Sequence, residues 1–189
     1  MGPLTDDTFT ISTDRLVLRR FCAQDAAPLF ELNSDAEVLR YTGDEPFPNV
    51  AATADFIRGY SHYRDHNFGR WAVTGRESGA FMGFCGLRCS AHSGEVDLGF
   101  RLFRKYWARG IATEAARAAL KAGFEQFKLG EITGRAMREN LPSITVLQKL
   151  GMRFRELSEE KELFWLVYAI TATEYREQAK EALIDSGTK

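Results

Sequence analysis

The spacing of apolar and polar positions divides the chain into short alternating segments. Arg15-Leu-Val-Leu-Arg-Arg-Phe21 sets branched apolar residues between arginines and predicts a strand. Arg70–Thr74, Ala80–Leu87, Glu95–Leu102, Glu131–Ala136, Met152–Leu157 and Leu163–Ile170 read the same way, with Gly75 to Gly79 as a hairpin turn. From about Gly110 to Phe127 the period changes. Ala112, Ala115, Ala116, Ala119, Leu120, Gly123 and Phe127 recur at helical spacing and define one buried face. Thr113, Glu114, Arg117, Lys121 and Glu125 lie mostly on the other face.

Other helices are announced by their caps. Asp25 precedes a helix with Leu29, Phe30 and Leu32 on its apolar side, and Ser34-Asp-Ala-Glu37 fits a capping box before a short turn. Thr42–Val50 carries Gly43, Pro46 and Pro48 and reads as a loop, after which Asn49 caps a helix running to about His66. Ser143–Leu150 forms a helix closed by Gly151, and Thr171-Ala-Thr-Glu174 opens a C-terminal one. Strands with interspersed helices indicate an α+β fold, a twisted mixed sheet of six or seven strands flanked by about four helices. At 189 residues the chain suits one domain over 1–189, with a core over about 13–178.

Composition narrows the partners. Lys+Arg 25 against Asp+Glu 26 gives a net charge of -1, so nothing electrostatic calls for nucleic acid or an anionic membrane. Any anion site must be local. No run approaches the roughly 18 apolar residues of a membrane span, and the polar N-terminus does not read as a secretory signal. Cys22, Cys85 and Cys89 are few and odd in number, which suggests free thiols and a cytoplasmic setting.

The most informative stretch is Glu95–Leu120. A strand ends near Leu102, a basic aromatic loop follows, and a helix starts at Gly110-Ile-Ala-Thr. The free amides of a helix N-terminus and its dipole favour an anion, and Gly110 leaves the backbone open to close approach. Arg104, Lys105 and Arg109 add positive charge, so the segment suits a pyrophosphate. No Gly-Lys-Ser/Thr follows, which excludes a P-loop, and the later glycine of a dinucleotide fingerprint is missing. Taken alone, Gly110 could equally be a plain turn. Asn140-Leu-Pro-Ser143 supplies a second constellation. Asn140 reads first as a helix cap, but its place after a strand also lets its amide bond an amide-bearing ligand.

Together, Leu98-Gly-Phe-Arg-Leu, Tyr106-Trp-Ala-Arg-Gly-Ile-Ala-Thr-Glu-Ala, Asn140-Leu-Pro-Ser143 and Lys149-Leu-Gly-Met-Arg-Phe resemble the GNAT superfamily of N-acetyltransferases. With Thr13-Asp-Arg-Leu-Val-Leu-Arg19 and Gly83-Phe-Cys-Gly-Leu87, the likeness is to its ribosomal-protein N-terminal branch of RimJ/RimL type, over roughly residues 13–170. The resemblance implies an enzyme that moves an acetyl group from acetyl-CoA, as co-substrate, to a primary amine without a metal. The acceptor would be a protein N-terminus or a small molecule. It makes Trp107, Ala108, Arg109, Gly110, Ile111 and Ala112 the pyrophosphate loop, with Thr113 next to it also binding the cofactor, and it lays pantetheine along Phe100, Arg101 and Leu102 with Asn140 bonding its arm.

The chemistry needs a neutral amine, an oxyanion donor and a proton or hydrogen bond for the leaving thiolate. The likeness puts the donor on a backbone amide of the strand ending at Leu102, freed by a bulge. Many members use a tyrosine acid where this chain has Leu147; in the ribosomal branch a serine lies near the sulfur, and Ser143 matches it. Ser143 could instead be a helix-end residue bonded to backbone. Asp97 and Glu95 share a strand face and, with Glu162 or a water chain, are the candidate bases. Loss of the tyrosine also admits a non-catalytic acyl-CoA sensor. Residues 41–47 are the expected acceptor contact, and the assembly is a monomer or homodimer.

Some features carry less. His62 and His66 have chelating spacing but no third ligand in the pattern, so a solvated helix face is expected. Cys85-x3-Cys89 lacks a second pair, and Trp71, Trp107 and Trp165 read as packing residues.

Overall fold

The structure is a computed structural model that describes residues 9–160 and 162–187, with side chains described to residue 181. Its strands are β1 (Thr10–Ser12), β2 (Leu16–Arg19), β3 (Arg70–Gly75), β4 (Phe81–Cys89), β5 (Val96–Leu102), β6 (Glu131–Met137), β7 (Arg153–Glu160) and β8 (Leu163–Thr171). They form one eight-stranded sheet in the order β1-β2-β3-β4-β5-β6-β8-β7. The sheet is mixed: β5 and β6 pair in parallel and every other neighbour is antiparallel. The strand absent from the sequence reading is β1. It is only Thr-Ile-Ser long, too short for a period, and exists because its backbone pairs with β2.

The helices are α1 (Ala26–Ser34), α2 (Ala36–Leu39), α3 (Val50–Arg58), α4 (His62–His66), α5 (Ile111–Glu125), α6 (Leu141–Lys149) and α7 (Ala172–Gly187). The expected helix from Asn49 to His66 is two. It breaks at Gly59-Tyr60, where the Tyr60 hydroxyl turns to accept from the Arg70 amide at 2.7 Å, and Ser61 starts α4. The capping box at Ser34 is displaced by one residue. Ser34 ends α1 by donating to the Phe30 carbonyl, and Asp35 caps α2 by accepting from the Glu37 amide. At Thr171 and Glu174 the capping box forms as expected, each side chain bonding the other's amide at 3.2 and 2.9 Å.

Two apolar layers sandwich the sheet. Leu16, Leu18, Trp71, Val73, Leu87, Leu98 and Leu102 pack with Ala115, Ala116, Ala119 and Leu120 of α5 and with Ile144 and Leu147 of α6. Gly123 brings α5 so close that a Cβ there would meet Ile132 at 2.6 Å. On the other face Leu29, Leu32 and Val38 pack against Phe21, Phe47, Ile57, Phe81, Phe84 and Phe103. Side chains alternate across a strand, so Val96, Leu98 and Leu102 of β5 enter the α5 layer while Asp97, Gly99 and Arg101 face the α1–α3 side. That alternation decides what lines the site.

Candidate active site

The site starts where the sheet comes apart. β5 and β6 pair only at Asp97↔Thr133 and Leu98↔Gly134. Beyond Leu98, β5 keeps its bonds to β4 as far as Gly83↔Leu102, and β6 keeps its bonds to β8 as far as Met137↔Trp165. The facing edges of Gly99–Leu102 and Arg135–Met137 are therefore unpaired, a V with free backbone donors on one arm. No bulge of β5 makes it. The β4–β5 register runs without a shift, and the irregularity lies between β3 and β4 at Val73/Thr74. The split arises because β6 continues toward α6 while β5 continues toward α5.

After the tip of β5 the chain forms a backbone cradle that leads into α5. Ala108 has φ 56° and Gly110 φ 75°, two left-handed residues that bracket Arg109, and left-handed residues of this kind occur in the backbone nests that bind anions. Ile111, Ala112 and Thr113 are the first three residues of α5, whose amides have no partner within the helix, and Gly110 caps it without a side chain. Phe103 and Trp107 fix the entry. The Phe103 amide donates to the Met82 carbonyl at 3.0 Å, and Trp107 Nε1 donates to the Leu102 carbonyl at 2.8 Å. Trp107 thus stays half exposed while its N–H ties down the strand end.

The charges around the cradle differ from the sequence expectation. Arg104 turns away to pair with Asp35 at 2.7 Å, and the Lys105 ammonium sits over Phe103 and Tyr106. Arg15 takes the place instead. Its guanidinium donates to the Arg109 carbonyl at 3.0 Å and pairs with Glu114 at 2.6 Å. Glu114 also accepts from Thr13 and from the Arg15 amide. Partial burial works to raise the Glu114 carboxyl, yet those bonds hold it below its ordinary range. A cation 94 residues before Arg109 in sequence is thereby fixed beside the loop, a contact that no local pattern reveals.

Across the V, Asn140 caps α6: its side-chain oxygen accepts from the Ser143 amide at 3.2 Å, leaving its NH2 group for another partner. Ser143 lies in the first turn, and its hydroxyl makes no hydrogen bond among the described residues. The neighbouring Thr145, by contrast, returns its hydroxyl to the Leu141 carbonyl. Leu147 is buried one turn further on, in the wall of the same opening.

The mouth of the V faces one cavity of about 820 Å3, while the start of α5 lies outside its wall, Gly110 and Thr113 lining a second cavity with Arg15 and Glu114. Asn140, Ser143 and Leu147 stand on one side of the first cavity, and Leu98 to Arg101 run along another. The far side holds Tyr41, Thr42, Asp44, Glu45 and Phe47, the stretch expected to contact an acceptor, with Phe21, Phe56, Tyr60 and Phe84 beside it. Arg101 reaches Asn33 and Asp44 and lies over the Phe84 ring. Burial lowers its pKa, partly offset by Asp44.

The expected bases separate. Asp97 lines the cavity, but its two oxygens are taken by Arg70 and Arg88. Burial raises its pKa, the two guanidiniums outweigh that, and the carboxyl sits below its ordinary range. Glu95 lies outside β5, exposed and beyond the cavity wall, because the strand begins one residue later. Glu162 is not inside β8; it forms the β7–β8 turn with φ 64° and is exposed. His62 lies on the cavity wall, stacked on Tyr60, and among the described residues no group of three His, Cys, Asp or Glu could hold a metal. Cys85 is fully buried, which pushes its thiol up to about 12, so it is inert core. Of the tryptophans, Trp71 and Trp165 are buried.

A mixed sheet that parts between two central parallel strands, with a helix starting at the end of one arm, is an α+β architecture of the acetyltransferase kind. Residues 15–153 match the family described as the acetyltransferase (GNAT) domain, and the chain belongs to that family. It is 30% identical over 155 residues to "Uncharacterized N-acetyltransferase p20" of Bacillus licheniformis, covering 81% of this chain and 87% of that one. It is 27% identical to "Uncharacterized N-acetyltransferase YoaA" of Bacillus subtilis, over 76% of this chain and 82% of the other. Among solved structures, an acetyltransferase (GNAT family) from Bacillus anthracis superposes with a TM-score of 0.75 at 26% identity, covering 87% of this chain and 99% of that one. An acetyltransferase from Agrobacterium tumefaciens superposes at 0.76 with 22% identity, over 90% and 98%. Among the described residues no helix is long and apolar enough to cross a membrane.

Proposed function

We propose that the protein transfers an acetyl group from acetyl-CoA to a primary amine by direct attack on the thioester, in the manner of the RimJ/RimL branch. The observation that carries this is the pairing of the cradle at Ala108–Thr113 with the unpaired edge Gly99–Leu102. The first fits a pyrophosphate, with Arg15 beside it. The second offers an amide-bearing arm a half-strand partner, with the free NH2 of Asn140 opposite. A backbone N–H of that same edge supplies the oxyanion donor, pre-oriented because β4 holds the strand.

In this reading Ser143 bonds the leaving thiolate with its free hydroxyl. A thiol's reference pKa is only about 8.5, so a hydrogen bond or a water relay suffices where a strong acid is missing. Asp97 acts by holding Arg70 and Arg88 in place, and the amine's proton leaves through water. The buried Leu147, where many relatives carry an acid, favours one second reading, a sensor that binds acyl-CoA without turnover. Acetyl-CoA binding by calorimetry tests the common part, with Gly110→Glu as the control. Binding by wild type and loss in the variant is the expected result. Failure of well-folded wild type to bind overturns both readings. Thiol release across an amine panel then separates enzyme from sensor.

A further inference from the structure

The acceptor side of the cavity holds a cationic donor set that neither the cradle nor the V uses. Arg70 opens β3, Arg88 lies on β4 and Asp97 on β5, and the register Arg70↔Gly86↔Gly99 with Arg88↔Asp97 brings all three to one face. Arg70 crosses Gly99, where a Cβ would collide with its guanidinium. Its Nη1 donates to the carbonyls of Gly86 and Asp97, and its Nη2 to the Asp97 carboxylate. A guanidinium has five N–H donors, so Nε and one hydrogen of Nη2 remain. Arg88 spends only Nε, on Asp97 at 3.2 Å, and keeps both Nη groups while half exposed. Tyr60 accepts from the Arg70 amide, and its own O–H has no acceptor among the described residues. Two positive charges thus share one carboxylate, leaving a net positive charge with spare donors on the cavity wall.

We propose that this cavity takes a small amine that also bears a carboxylate, the carboxylate docking on Arg70 and Arg88 and an aromatic side chain resting on Tyr60 and Phe84. The proposal rests on the transferase reading for the reaction but predicts binding independently of it. Asp97 and Gly99 are two residues apart on β5, about 7 Å, and the split that admits the thioester begins at Gly99. A carboxylate at the arginines therefore puts an amine one or two carbons away at the open edge, as in an α- or β-amino acid. Without a docked carboxylate the two arginines keep a net positive charge against Asp97 alone. They repel a polyamine, which has no anion to offer.

Calorimetry with phenylalanine and phenethylamine tests this, on the free protein and on its CoA complex. Phenylalanine is expected to bind at least tenfold more tightly. Arg88→Gln is expected to remove that preference while leaving phenethylamine and acetyl-CoA affinities unchanged, which a merely structural role for Arg88 would not do. Equal affinities, absence of phenylalanine binding, or a preference that survives Arg88→Gln overturns the proposal. Failure of the transferase reading shows separately, as thiol release from no amine despite a carboxylate preference in binding.

Discussion

Asp97 shows how a residue can stand in the right place for one role and be built for another. Its carboxylate faces the cavity, yet two guanidiniums hold it ionised. Asp97→Asn would leave Arg70, only 13% exposed, without its counter-charge, and removing one partner of a buried ion pair costs about 3 kcal/mol or more. Chemical denaturation at neutral pH is expected to show that loss. The pH dependence has a definite sign. A carboxyl depressed in the folded state stabilises fully above the unfolded value of about 3.9, and that stabilisation disappears as pH falls through the lower folded value. Wild type should therefore lose stability below about pH 4, and the asparagine variant should lack that component. A flat difference between the two down to the acid transition would show that Asp97 is not so held. Ser143 has the opposite character, a hydroxyl left free beside the V. Ser143→Ala is expected to lower kcat by roughly tenfold, with little change in KM for acetyl-CoA, the size of one lost hydrogen bond of about 1.4 kcal/mol. Unchanged kcat would return Ser143 to a purely helical role.

At the level of elements, the position of β5 depends on how closely β4 lies against it. Gly83 has φ 144°, and a Cβ there would run into the Arg101 carbonyl and Leu102 Cα. Gly83→Ala is expected to cost about 1–3 kcal/mol through overpacking and to weaken acetyl-CoA binding, because the displaced backbone is the edge that forms the V. Gly79→Ala is the control. It sits at φ 64° in the hairpin with nothing within 4 Å, so it carries left-handed strain of roughly 1 kcal/mol but no collision. Thermal unfolding of the pair decides the matter, and equal losses with normal binding would dismiss the crowding. These elements were legible to different degrees. The period of α5 and the glycine before it made both the helix and its start legible, because that information is local. The Tyr60 break and the Arg15 substitution for Arg104 were not legible, since each depends on a bond to a residue distant in the chain or in the fold. The Arg70–Asp97–Arg88 cluster is of the same kind: three strands must align before its charges meet.

For the whole molecule, the open V is a seam. Only two residue pairs join β5 to β6, so the half built from β1–β5 meets the half built from β6–β8 chiefly through that short parallel contact and through packing of α5 and α6 beneath it. A ligand bonded to Gly99–Leu102, Asn140 and the α5 N-terminus at once would bridge the two halves. Its binding free energy adds to stability by mass action, about 2.7 kcal/mol at a hundredfold excess over Kd. For a domain of this size each kcal/mol raises Tm by roughly 2–4 °C, so saturating acetyl-CoA should raise it by about 5–11 °C. Gly110→Glu should abolish the shift without lowering the unliganded Tm by a comparable amount. The pantetheine arm without its nucleotide should give a much smaller shift, since it fills the V but leaves the cradle vacant. A shift of equal size from pantetheine alone would place the binding energy in the strand edge and make the helix start incidental. The seam and the cradle would then have to be assigned separate roles.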